Sequence, residues 1–135
     1  MKALSIHQPW AWAILHAGKS VENRSWRTDH RGPLLIHASK SRASYDRQRA
    51  EDWRRVLNIE LPPWESLPTG RLVGVVSVLD CIPLENGGFG SHSPWASGPW
   101  LWVLSDPRPF PEPVVFRGLQ NLFNVPADLI PEAYR

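Results

Sequence analysis

At 135 residues, 42% hydrophobic and with a formal charge of +2, the chain is the size of one ordinary domain built on one core, residues 1–135. One cysteine, Cys81, excludes an intramolecular disulfide, and no CxxC or Cys/His spacing marks a zinc site, so no metal or cofactor is expected and a reducing cytoplasm is the simplest home. No run approaches the roughly 18 apolar residues of a membrane span, and residues 1–6 hold no long apolar segment, so a soluble, untargeted and monomeric protein is expected.

Ala3, Leu4, Ser5 and Ile6 alternate as a short strand does, until Gln8-Pro9-Trp10 interrupts them with proline at a helix N1 position. Trp10, Ala11, Ile14 and Leu15 recur at helical spacing, and Gly18 stands where a glycine ends a helix of about two turns. Residues 19–26 read as extended, 28–32 as a turn, and Leu34-Leu35-Ile36-His37 as a buried strand. Over 39–57 a polar pattern with Ala43, Ala50, Trp53 and Leu57 predicts a surface helix with a narrow apolar stripe, stopped at Leu61-Pro62-Pro63-Trp64.

Residues 71–82 form the strongest strand, nearly continuous in Leu and Val, with Gly74 marking a bulge or a close approach. The Gly/Ser-rich stretch 86–99 reads as a loop and 100–104 as a further strand. The proline-studded segment 106–115 is expected to run as an edge or a polyproline-like stretch, and 119–125 as a short apolar segment. The fold class is α+β: a small barrel of five or six mostly antiparallel strands with short flanking helices and no βαβ rhythm.

Charge is uneven along the chain. Up to Arg55 there are eleven Lys/Arg against five acids, a balance of +6, while the remainder carries −4. A polyanion is therefore drawn to the first half, although the charges at 40–55 also suit a plain solvated helix face.

Between Gln8 and His37 unlike functional groups concentrate: Gln8, Trp10, Lys19, Ser20, Glu22, Asn23, Arg24, Trp26 and His37. If 19–24 is extended, Lys19 and Asn23 face one way while Ser20, Glu22 and Arg24 face the other, and only a turn or bulge after Gly18 lets Lys19 meet Glu22. Lys19, just past a helix-ending glycine, is expected at the exposed lip of a cleft. Such a pair serves as a salt bridge in many proteins. Its functional reading has Lys19 meeting phosphate or polarising a carbonyl while Glu22 handles a proton.

Three pieces in order, Leu4-Ser5-Ile6-His7-Gln8-Pro9-Trp10-Ala11, Gly18-Lys19-Ser20-Val21-Glu22-Asn23-Arg24 and Arg31-Gly32-Pro33-Leu34-Leu35-Ile36-His37-Ala38, resemble the opening of ASCH domains, in which the Gly-Lys…Glu-x-Arg segment is the hallmark. The resemblance implies a PUA-like β-barrel whose cleft takes RNA or a nucleoside. It places Lys19, Glu22 and Arg24 in that cleft as catalytic or binding residues, and around them Gln8, Pro9, Trp10, Ser20, Asn23, Trp26, His37 and Trp95 are read as ligand-binding residues. Some small members are similar to amidohydrolases that deacetylate cytidine, and others look like ribonucleases. A non-catalytic module reading RNA or a modified base is the alternative. In the amidohydrolase branch a threonine nucleophile stands where this chain has Glu22, so that chemistry cannot be repeated here, although Lys19 matches the family's lysine.

Among the remaining candidates, Trp100 and Trp102 share a strand face and are assigned to the interior, whereas Trp10 and Trp95 suit a cleft. His37, at the end of a buried strand, reads as a satisfied core histidine or as a base. The other histidines have no metal-binding spacing, Cys81 reads as packing, and Ser91-His92-Ser93 is weak evidence for a hydrolase.

Overall fold

The computed structural model describes residues 1–85 and 93–135. Six strands form one curled, mostly antiparallel sheet: β1 (Lys2–Ile6), β2 (Val21–Arg24), β3 (Gly32–Ala38), β4 (Arg71–Pro83), β5 (Trp100–Val115) and β6 (Leu122–Asn124), in the order β2-β5-β4-β3-β1-β6. Among the described residues only β1 and β3 run parallel, with Ser5 opposite His37. The β4–β5 pair slips register between Leu72 and Gly74, between Val75 and Ser77, and between Val78 and Asp80. Each slip adds local twist and bends the sheet. The curl brings β2, at one end of the sheet, back towards β1, next to the other end: Arg24, at the end of β2, donates from Nη2 to the Ser5 carbonyl of β1 at 2.9 Å.

Alternation along β3 sends Leu34 and Ile36 into the core enclosed by the curl, with Leu4, Ile14, Val76 and Trp102, and sends Leu35 to a second cluster with Leu72, Val75 and Phe110. Helix α1 (Trp10–His16) packs on the enclosed face. A Cβ on Gly74 would stand 2.8 Å from the Arg108 carbonyl oxygen and 2.8 Å from Leu15 Cδ2, so this glycine marks a close approach as well as a register slip.

Two expectations are refined. The surface helix is shorter than 39–57: α2 spans Arg47–Asp52 and continues as a π-helical turn over Trp53–Leu57. Before it, Ser39 and Ser41 accept from the backbone N–H of Ser41 and Ala43, which offers the chain a non-helical alternative, and the Asp46 carboxylate caps the start by accepting from Arg49 N at 2.8 Å. The proline-studded segment continues β5, and it does so as an edge. Strand β2 flanks β5 only over Trp100 to Val103, so beyond that point β4 is its one partner and prolines lacking an N–H are tolerated. Part of the expected loop, 86–92, including Ser91 and His92, lies outside the described residues. No helix among the described residues is long and apolar enough to cross a membrane.

Candidate functional site

The Ala13 carbonyl at the end of α1 accepts from both Ala17 N and Lys19 N, at 2.9 and 3.1 Å, while Gly18, at φ +73, turns the chain through a conformation that costs glycine nothing. Strand β2 starts only at Val21, so strand alternation does not govern Lys19. Its side chain folds forward, donating to the Val21 carbonyl and, at 3.3 Å, to Glu22 Oε1. Arg24, two residues on and therefore on the same face as Glu22, donates to Oε2 from Nε at 3.0 Å and meets it with Nη2 at 2.9 Å. One carboxylate thus receives two cations.

Lys19 is 3% exposed and Glu22 7%, so the lysine stands inside the site and not at an exposed lip. Burial lowers its pKa below the ordinary 10.5; the Glu22 charge and hydrogen bond oppose that shift, and the Arg24 charge adds to it.

These three residues line a cavity of about 580 Å³. Its wall is aromatic: Trp10 from α1, Trp53 from the π-helical turn and Trp95 from the loop before β5, with ring centroids 5.4 Å apart for Trp10–Trp53 and 5.1 Å for Trp53–Trp95. The Arg49 guanidinium lies 4.6 Å from the Trp10 ring, and Lys19 Nζ 5.6 Å from it. Asn23 fixes the wall by donating to the Trp95 carbonyl at 2.9 Å and accepting from Ser97 N and Gly98 N at 2.8 and 2.9 Å. Replacing Asn23 with alanine removes three hydrogen bonds, and the expected cost is about 1–3 kcal/mol with a loosened Trp95. Urea unfolding and the red shift of tryptophan emission measure the two effects.

The family model for the ASCH domain matches residues 4–97. This chain belongs to the ASCH domain family. It is 32% identical over 111 residues to the human activating signal cointegrator 1, covering 78% of the chain and 19% of that protein. It is 40% identical over 83 residues to the mouse protein of that name, covering 58% of the chain and 14% of the relative. The ASCH chain therefore corresponds to a fifth or less of the length of these relatives. The crystal structure of a ZmASCH mutant protein from Zymomonas mobilis superposes with a TM-score of 0.61, covering 95% of this chain and 91% of that one at 13% identity, a likeness of fold.

Within this ASCH domain the residues singled out from the sequence divide. Lys19, Glu22, Asn23, Arg24, Trp10 and Trp95 come together around the cavity. Gln8, Pro9, Ser20 and Trp26 do not line it. Gln8 is 1% exposed and pins the chain, donating to the Pro68 carbonyl and accepting from Trp12 N. Pro9 caps α1 in the interior, one position earlier than N1. Ser20 points to solvent while its carbonyl accepts from Leu104 N. Trp26, half-buried, stands edge-on to the fully buried Trp102, at 4.8 Å and 87°, and packs against the core.

His37 lies away from the Lys19 cavity. Its Nδ1 pairs with Ser5 Oγ at 3.0 Å and its Nε2 with the Phe116 carbonyl at 2.7 Å, and burial lowers its pKa. Cys81 is buried, its sulfur accepting from Thr28 N. No group of His, Cys, Asp and Glu among the described residues is placed to hold a metal.

The sequence reading missed Arg49 and Trp53 as site residues. The signal is present in the sequence, since a cation and a tryptophan four apart share one helical face, but the apolar stripe alone accounts for Trp53.

Proposed function

We propose that this ASCH domain binds RNA or a nucleoside and seats one base in the cavity of Lys19, Glu22 and Arg24. The observation that carries this reading is the joining, in one pocket of about 580 Å³, of a tryptophan wall with a buried cation–carboxylate array. That volume suits a small organic ligand. An aromatic wall takes any base by its face, at about 1–3 kcal/mol per stacked base. Glu22 offers an acceptor to an exocyclic amine; Arg49, bonded through Nε to the Ser44 carbonyl, has both terminal nitrogens for phosphate, and Arg24 has Nη1. ASCH domains in general bind nucleic acid, which favours the same reading.

Recognition is the first reading because both cations hold the Glu22 carboxylate in place, Arg24 with two donors on Oε2 and Lys19 with one on Oε1, which leaves Oε1 an open lone pair for an exocyclic amine. One observation favours a hydrolase as the second reading: Lys19 is buried with a lowered pKa beside a carboxylate, a pattern common at catalytic sites. As an amidohydrolase acting on acetylated cytidine, Glu22 activates water while Lys19 polarises the acyl oxygen. As a ribonuclease, Lys19 and Arg24 stabilise the developing phosphorane charge, with Glu22 as the base, since His37 opens on another cavity.

Tryptophan fluorescence titrated with cytidine, CMP and a short RNA tests the proposal. Quenching by at least one of them is expected, with Trp95→Ala weakening affinity about 5- to 100-fold. A flat response of the wild type to all three would refute it. Turnover assays on RNA and acetylated cytidine separate the two readings. A binder turns over neither, whereas a hydrolase turns over one of them and loses about 100-fold or more in Glu22→Gln.

A further inference from the structure

A second and larger cavity, about 970 Å³, adjoins the first along Ser5, His7 and Arg24, which line both. Lys40, Arg71, Arg117 and His37 join Arg24 and His7 around it, and no aspartate or glutamate is in its lining. Among the described residues, no carboxylate lies within ion-pair distance of Lys40, Arg71 or Arg117. Lys40, Arg71 and Arg117 come from three separate parts of the chain, the segment after β3, the start of β4 and the segment after β5, and Arg24, already paired with Glu22, joins them from the end of β2. Convergence of unpaired cations on one hollow raises the local field for anions instead of serving the fold.

Two of the cations are held in place. The Lys40 stem runs across Gly70, where a Cβ would stand 2.7 Å from Lys40 Cε, and Arg71 Nη1 donates to the Thr69 carbonyl at 2.8 Å. Gly118, also in the lining, lies against His37, and a Cβ there would meet His37 Cε1 at 2.6 Å, so the backbone forms the surface at that point.

We infer that this second cavity is the path of the sugar–phosphate backbone next to the seated base, so that the ligand is a single strand of RNA and not a free nucleoside. This rests on the reading that the first cavity takes a base. Arg24 is the junction: it grips Glu22 on one side and lines the phosphate path on the other. The strand must be unpaired, because a base can enter the Trp10–Trp95 pocket only when it is splayed out of a helix. Each phosphate neutralised by Lys40, Arg71 or Arg117 contributes about 0.7 to the slope of log affinity against log salt.

The test compares the wild-type chain with a Lys40→Gln, Arg71→Gln, Arg117→Gln triple variant, none of whose sites lines the first cavity. Anisotropy of labelled single-stranded RNA hexamer is followed across salt, beside fluorescence titration with CMP. The wild type is expected to bind the hexamer at least tenfold tighter than CMP. The triple variant should lose at least tenfold for the hexamer, lower the salt slope by about 2 and keep its CMP affinity. An unchanged hexamer affinity and slope in the triple variant would overturn the strand path while leaving the base pocket standing. Failure of the wild type to bind either ligand would overturn both. Equal binding of polyglutamate of matched charge, or tighter binding of a blunt RNA duplex, would also overturn the single-strand assignment.

Discussion

Replacing Glu22 with glutamine is expected to cost the fold about 3 kcal/mol, close to 10 °C in Tm for a chain of this size. Lys19, 3% exposed, would keep its ammonium with only the Val21 carbonyl and a neutral side-chain amide in place of the carboxylate, and Arg24 would lose its ionic partner. A desolvated charge without its counter-ion is worse than no charge, so adding Lys19→Met to the Glu22→Gln background should recover part of the loss. Strictly additive effects in the double-mutant cycle would mean that the two residues do not interact.

The pH dependence carries a sign. Lys19 titrates below 10.5 in the folded chain, so between its folded value and 10.5 the unfolded state binds more protons and stability from this group rises with pH. Glutamine removes the two interactions with Glu22 that hold the value up, so in the variant the rise begins at lower pH. Urea unfolding in steps from about pH 7 to about pH 10.5 reads this directly. A variant whose deficit is the same at every pH would contradict the assignment of the loss to the Lys19 charge.

Trp53→Ala should be costlier still, about 3–5 kcal/mol, and should abolish nucleotide binding with it. Trp53 is 5% exposed and stands between Trp10 and Trp95, with Ala13 and Leu61 in the same cluster. Removing it leaves a void behind both walls of the pocket. Phe110→Ala is the control, since Phe110 is 7% exposed in a different cluster, stacked edge-on to Tyr134 at 4.8 Å. It should lose similar stability and yet keep its ligand at temperatures where the fold is intact. Equal loss of binding in both variants would show that binding follows global stability and not the wall.

The parts of this architecture legible in the sequence are those whose signal is local. The apolar run of β4, the glycine ending α1 and the alternation of β1 each reflect residues acting on their immediate neighbours. The proline half of β5 could be narrowed to an edge or a polyproline stretch but not decided, because the choice depends on how far β2 reaches along it. The start of α2 is not legible in the apolar spacing, because Ala43 and Ala50 say nothing of the serines that bond the nearby backbone before Asp46.

At the site, Lys19, Glu22 and Arg24 stood out as unlike groups close in sequence, and the turn after Gly18 that joins the first two was foreseen as a condition for their meeting. The burial of Lys19 was not, since it depends on Trp10 and on elements far along the chain. Trp26 and Gln8 shared the same dense segment and turned inward, one to Trp102 and the other to Pro68. The cations of the second cavity lie far apart in the chain, from Arg24 to Arg117, and only the curl of the sheet gathers them.

The most direct test of the central claim is a crystal structure of the chain with a short single-stranded RNA. One base is expected against Trp95 within hydrogen-bonding distance of Glu22, its phosphate at Arg24 and the next phosphates beside Lys40 and Arg71. RNA bound without touching Lys19, Glu22, Arg24 or the tryptophan wall would contradict the account.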